Sequence, residues 1–169
     1  MNIKIYEEID STQLEAKRIN EHKTVIIAKR QTNGIGTHGR KWYNGEKGNN
    51  IAMTIILHPN CNISKLKNIT IEIAKIILEV LSEYEVYADI KEPNDIMLNG
   101  KKLAGILVET NLKGEMVSNL FIGIGININQ IEFPIELEQI STSLKKEFNK
   151  NYDVKEIIDK IIKRIDLLA

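Results

Sequence analysis

Three separated segments hold residue types suited to binding an anion such as a phosphate. The first, residues 31–50, reads QTNGIGTHGRKWYNGEKGNN and is nearly free of aliphatic side chains. Its glycines, Gly34, Gly36, Gly39, Gly45 and Gly48, permit positive φ and close backbone approach to a ligand. Successive backbone N–H groups in such a loop can form an anion nest. Arg40 adds a guanidinium able to grip a phosphate through two hydrogen bonds, and Trp42 a flat ring able to cover another. The same composition also suits a solvated surface loop, although a long loop inside a compact domain is often functional.

In the second segment, Lys91-Glu92-Pro93-Asn94-Asp95 precedes Lys101-Lys102-Leu103-Ala104-Gly105-Ile106-Leu107-Val108-Glu109. Asp95 sits at the mouth of an apolar strand, where its oxygens can hold Mg²⁺ as in nucleotide sites. Lys102 stands just before the small residues Ala104 and Gly105, which let a ligand lie close. A bare hairpin with solvated lysines would look similar. The third segment is GIGININ, residues 123–129. Strand interiors normally avoid glycine, so Gly123 and Gly125 indicate close contact with something flat, a ligand or a crossing helix.

These segments need a scaffold, and the apolar periods supply one. Residues 2–6 are expected to form a strand, Ser11 or Thr12 to cap a helix to about Asn20, and residues 24–29 to form a buried strand. Residues 51–57 resume a strand. Ser64 is expected to cap a long helix to about Ser82, and residues 86–90 to form a short strand. Asn99–Gly100 marks the turn of a hairpin over 95–110, and Lys113–Gly114 a second turn into the strand carrying GIGIN. Asp153 is expected to cap a last helix with an isoleucine stripe from Ile157 to Ile165. The expected fold class is α+β, a mixed, mostly antiparallel sheet packed against helices.

The 169 residues suit one domain. Acidic and basic residues are equal in number, 23 each, which argues against a nucleic-acid partner. With one cysteine, Cys61, no internal disulfide can form, and a reducing, cytoplasmic location fits. The start, MNIKIYEEID, does not read as a signal peptide. No apolar run approaches the ~20 residues of a membrane span, so no membrane is expected as a partner. His22, His38 and His58 lack metal-ligand spacing.

Taken together and in this order, the segments resemble the biotin–protein ligase family. That family carries a Gly-Arg-rich loop ending in Gly-Arg-x-Trp, here 31–42. It then has Lys-Trp-Pro-Asn-Asp, here KEPND, and (Arg/Lys)-Lys-Leu-Ala-Gly-Ile-Leu-Val-Glu, here KKLAGILVE. Last come Gly-x-Gly-Ile-Asn, here GIGIN, and, near the start, a Ser-Thr pair, here Asp10-Ser11-Thr12. The resemblance covers nearly the whole chain. It implies a catalytic domain over residues 1–169 with the biotin ligase and class II aminoacyl-tRNA synthetase type of fold. Many members add a β-barrel domain after it, and some a DNA-binding winged helix before it. A non-repressor ligase, open to truncation at its C-terminus, is expected here.

By that resemblance the substrates are biotin and ATP, with Mg²⁺ as cofactor. The activity is that of an ATP-dependent biotin–[acetyl-CoA-carboxylase] ligase. Biotinyl-5′-AMP forms first, and biotin then passes to a lysine of a biotin carboxyl carrier protein domain. A homodimer is compatible with it. Lys102 would contact carboxylate and phosphate, Arg40 the phosphates, and Asp95 the metal and the attacking lysine, with Asn94 orienting that site. Ser11, Thr12 and Gln31 would hydrogen-bond the ureido ring. The glycines Gly34, Gly36 and Gly39 would line the adenylate loop, and Trp42 would stack on adenine. Gly105, Gly123 and Gly125 would form the floor, and Asn127 would reach the adenine or ribose. Two departures stand out. Ile35 and Thr37 occupy places that are commonly arginine, which implies weaker retention of the adenylate, and Glu92 replaces a common tryptophan. The alternatives are a lipoate ligase or acyl transferase of the same fold, and a non-catalytic biotin-binding module.

Overall fold

The computed structural model describes residues 1–169. In chain order the elements are β1 (Asn2–Tyr6), α1 (Thr12–Ile19), β2 (Thr24–Ala28), β3 (Ile51–Leu57), β4 (Cys61–Asn62), α2 (Ile69–Ser82), β5 (Asp89–Lys91), β6 (Asp95–Leu98), β7 (Lys101–Lys113), β8 (Met116–Ile126), α3 (Leu144–Phe148) and α4 (Val154–Leu168). One sheet runs β1-β2-β3-β8-β7-β6-β5, with β4 paired to β8. Only the β1–β2 pair is parallel among these strands. The mixed, mostly antiparallel sheet matches the expected fold class.

Strand alternation divides the labour between the two faces. On β8, Ile122, Ile124 and Ile126 point into the main core beneath α2 and α4, joined there by Met53 and Ile55 of β3. Phe121, Gly123 and Gly125 alternate onto the other face, where Phe121 joins Ala16 of α1 with Ile26 and Ile56 in a smaller cluster. The helical stripe of α4 supplies Ile157, Ile161 and Ile165, all essentially buried, each worth about 1.5–3 kcal/mol of burial. The functional segments thus lie on the α1 side of the sheet, opposite the main core.

A β-bulge decides where Lys102 points. Ile96 pairs with Ala104 but Met97 pairs with Lys102, so Leu103 is an extra residue in β7. Without it, Lys102 would share the core-facing parity of Ala104 and Ile106. With it, Leu103 and Ala104 both enter the core and Lys102 joins Gly105 on the α1 face. Asn99 (φ 51) and Gly100 (φ 78) both take positive φ, as a tight two-residue hairpin turn requires.

Other boundaries depart from expectation. Ser64 is not the cap of α2. Asn62 accepts from Ser64 N at 2.9 Å and caps a separate 3₁₀ turn over Ile63–Leu66, so α2 begins only at Ile69. The strand expected at 86–90 begins at Asp89, because Val86 N donates to Leu81 O (3.1 Å) with Glu85 at φ 58. That bond finishes α2 and turns Val86 into the core. The short elements β4 and α3 were not foreseen.

Candidate functional site

α1 begins where Ser11 Oγ accepts from Leu14 N, placing Ser11, Thr12 and Gln13, all buried, against the sheet. Facing them, residues 34–42 fold back on themselves. Trp42 N donates to Gly34 O (2.8 Å), Gly36 N to Arg40 O (2.6 Å), and a 3₁₀ turn at Thr37–Gly39 closes the tip. Between these walls lies a narrow cavity of about 50 Å³, with Thr12, Gln31, Ile35, Thr54, Leu107 and Gly123 among its lining residues. It opens toward a groove of about 680 Å³ bordered by Arg40, Lys91, Asp95, Asn127, Phe133 and Ile140. Lys102, Asn94, Trp42, Gly36 and Thr37 line both.

Lys102 therefore stands at the junction. Its Nζ lies 3.0 Å from Asp95 Oδ1 and 5.4 Å from the centre of the Trp42 ring. Its backbone is clamped through both its N–H and its C=O: Lys102 N donates to Ile140 O (2.8 Å), and Thr142 N donates to Lys102 O (2.9 Å). That strap, residues 140–142, had no assigned role in the sequence. Phe133, Leu137 and Ile140 are its apolar neighbours along the groove and were also missed. Ile131 and Ile135, exposed in the same stretch, give no clear helical or strand period, so no signal pointed to it.

The glycines are explained mainly by protein side chains. A Cβ on Gly123 would come 2.6 Å from Gln13 Oε1, and one on Gly125 would come 2.6 Å from the Trp42 ring. At Gly34 it would meet Trp42 O at 2.6 Å. The expected ligand floor of Gly105, Gly123 and Gly125 is thus occupied by Gln13 and Trp42. Gly39, at φ 70, serves the turn, while Gly36 lines the cavity with negative φ. Trp42, expected to stack on adenine, lies across Gly105 and Gly125 with its Nε1 buried and unpartnered. A buried donor of this kind is costly unless an acceptor arrives. The cavity is also far below the several hundred Å³ of ordinary ligand pockets.

Asn127, expected to reach a nucleotide, donates Nδ2 to Thr142 O (3.1 Å), so that amide group holds the strap in place. Gln31 accepts from Thr12 N (2.8 Å) and donates to Asn44 Oδ1 (3.2 Å), bracing the cavity wall. Asn94 donates weakly to Ile106 O (3.4 Å). Arg40 is exposed in the groove and makes no ion pair or side-chain hydrogen bond. Asp95 is the carboxylate nearest Lys102, and nowhere does the chain group three His, Cys, Asp or Glu side chains as a metal cage.

A narrow cavity lined largely by polar residues, a lysine at its mouth and a wider, partly basic groove suit a small acid meeting a nucleotide. Residues 6–127 match the Biotin/lipoate A/B protein ligase family. The chain belongs to this family. It is 36% identical over 166 residues to the Bifunctional ligase/repressor BirA of Bacillus subtilis (strain 168), covering 94% of this chain and 51% of the relative. The Biotin–[acetyl-CoA-carboxylase] ligase of Paracoccus denitrificans is 31% identical over 125 residues, 70% of this chain and 51% of that protein. The chain thus spans about half the length of these curated relatives. Among solved structures, the biotin protein ligase from Aquifex aeolicus in complex with biotin and ATP superposes with TM-score 0.83 at 34% identity. That match covers 98% of this chain and 68% of the other. No helix is long and apolar enough to cross a membrane.

Proposed function

We propose that residues 1–169 form a catalytic domain that activates biotin with ATP and transfers it to a lysine of a biotin carboxyl carrier protein domain. The observation that carries this reading is Lys102, which lines both cavities with Asp95 at 3.0 Å. The relatives' names and the biotin- and ATP-bound neighbour support it.

In the first step a biotin carboxylate oxygen bonds to the α-phosphorus, and pyrophosphate leaves with the electrons of the broken P–O bond. Two anions must approach, a repulsion of about 4 kcal/mol at ~4 Å and an effective dielectric of 20. Lys102 offsets it at the reacting atoms and Arg40 along the phosphates. In the second step the neutral carrier amine attacks the carbonyl carbon, the C–O bond to the phosphate breaks, AMP leaves with its electrons and the amine's proton passes to solvent. Asp95 holds Lys102 and borders the amine's approach, with Asn94 beside it. The ureido ring would enter the closed cavity, near Ser11, Thr12 and Gln31, and Trp42 would move off Gly105 and Gly125 to cover the adenylate. Mg²⁺ supplies charge neutralisation when bound. Asp95 offers it one carboxylate, and phosphate and water oxygens would make up the rest. The reading is compatible with a homodimer, and the chemistry would take place in the cytoplasm.

ATP–pyrophosphate exchange dependent on biotin tests the proposal. Exchange with lipoate instead would favour the acyl-transferase alternative. Biotin binding without exchange would favour a non-catalytic module.

A further inference from the structure

The cavity's buried end contains a polar chain whose central residue, Gln13, lies outside the motifs. Gln13 is 3% exposed. Its Nε2 donates to Glu109 Oε1 at 2.9 Å, and Lys17 Nζ donates to Glu109 Oε2 at 2.7 Å. An amide that gives its N–H to Glu109 turns its oxygen the other way, and that oxygen only accepts. Thr54 Oγ1, 3.0 Å from it, supplies the proton. Thr54 is wholly buried and its hydroxyl has a single proton, so toward Thr12 Oγ1, 2.9 Å away, it can only accept. Thr12 must then donate to Thr54, which leaves its own oxygen with lone pairs at the cavity it lines. Gly123 makes room for this arrangement, since a Cβ there would collide with Gln13 Oε1.

We propose that Gln13 is a positioning residue that fixes the hydrogen-bond polarity of the closed end. Glu109 and Lys17 set its amide from outside the cavity, and Thr12 is thereby held as an acceptor. A ligand must present a hydrogen-bond donor there, such as an N–H. The inference rests on the biotin reading, in which the ureido ring supplies such N–H groups. It adds a residue whose effect falls on ligand selection, not on the reacting atoms at Lys102.

The test is steady-state pyrophosphate exchange with biotin and with a bicyclic analogue in which a cyclic carbonate replaces the urea. For Gln13→Met we expect the KM for biotin to rise roughly tenfold, as loss of one ordered hydrogen bond implies, with kcat and the KM for ATP nearly unchanged. The preference for biotin over the carbonate should shrink, because Thr12 becomes free to donate. Gln13→Glu alone sets two carboxylates together and should also raise the KM. The double substitution Gln13→Glu with Glu109→Gln restores a donor–acceptor pair and keeps an acceptor toward Thr54, so it should recover most of the loss. A wild type without biotin-dependent exchange overturns the functional reading and this inference with it. An active wild type whose Gln13→Met variant keeps its biotin KM and its carbonate discrimination overturns this inference alone. If Gln13→Met does not unfold cooperatively, the swap decides: a double variant no better than the worse single one overturns it.

Discussion

At the closed end of the cavity, Thr12, Gln13 and Thr54 are each under 5% exposed, and each has its polar side-chain atoms matched to a protein partner. At the open end, Arg40, His38 and Lys41 are exposed on a loop tip and form no ion pair or side-chain hydrogen bond. Between them Lys102 has one ionic partner, Asp95. The contrast separates two tasks. A polar pocket rigid before binding rejects ligands with the wrong donors at little ordering cost. Cations left without carboxylate partners stay available to an incoming phosphate, but the loop that bears them has few anchors of its own.

The largest expected effect is at the junction. Lys102→Ala should lower biotin-dependent pyrophosphate exchange by ~10²–10³, the loss typical of removing one stabilising group from a reacting anion. The fold should persist, because this side chain is one-third exposed (34%) and outside the core, which a thermal melt would check. Near wild-type exchange would mean that the junction does not carry the rate.

Next in size is Thr37→Arg. Thr37 lines both cavities from the 3₁₀ turn and provides a hydroxyl without charge. A charge-assisted hydrogen bond to phosphate contributes about 1.5–3 kcal/mol, so the substitution should slow release of preformed biotinyl-AMP by ~10–150-fold. Filter binding or stopped-flow release measures this. Slow wild-type release that the substitution leaves unchanged would mean that Lys41, His38 or another group already retains the adenylate.

A third measurement compares the two ends directly. Amide hydrogen exchange over residues 34–47 should be fast alone and slow by roughly tenfold or more with biotin and ATP, whereas α1 from its second turn and β3 should be protected throughout. Equal protection of the loop in both conditions would erase the distinction between a fixed end and a yielding one.

Much of this arrangement was legible in the sequence, for reasons that also show its limits. The Asn99–Gly100 turn, the buried run of β3 and the isoleucine stripe of α4 are local patterns, and they appear as expected. The placing of Lys102 was not local. Simple alternation from Ala104 would send it into the core, and only the extra residue at Leu103 brings it to the site. Gln13 was missed because its partners, Thr54 and Glu109, lie 41 and 96 positions away, and a helical first turn gives no hint of them. Gly123 and Gly125 were read correctly as signs of close approach. What approaches in this structure is Gln13 and Trp42, because two side chains of the same protein meet the sheet there.

The smallest expected effect concerns what steadies the junction from behind. Glu147, in α3, accepts from Thr142 Oγ1 (2.5 Å) and from Asn99 Nδ2 (2.8 Å), tying the strap that clamps Lys102 to the turn of the β6–β7 hairpin. These hydrogen bonds, from Thr142 first and then Asn99, hold its carboxyl below the usual value of 4.5. A carboxylate depressed in the folded state adds stability that is full above its unfolded value and lost as pH falls through its folded one. Chemical denaturation midpoints should therefore drop as pH is lowered below about 4.5, and Glu147→Gln should remove this part of the drop. Its size is expected below about 1 kcal/mol, because the pair sits near solvent and water screens it. Exchange activity in Glu147→Gln tests the strap itself. If Lys102 depends on the clamp, the KM for ATP should rise about two- to fivefold, the effect of roughly 0.5–1 kcal/mol of lost support, while the biotin KM holds. A rise in the biotin KM alone would instead couple this strap to the closed end and undo the division between the two.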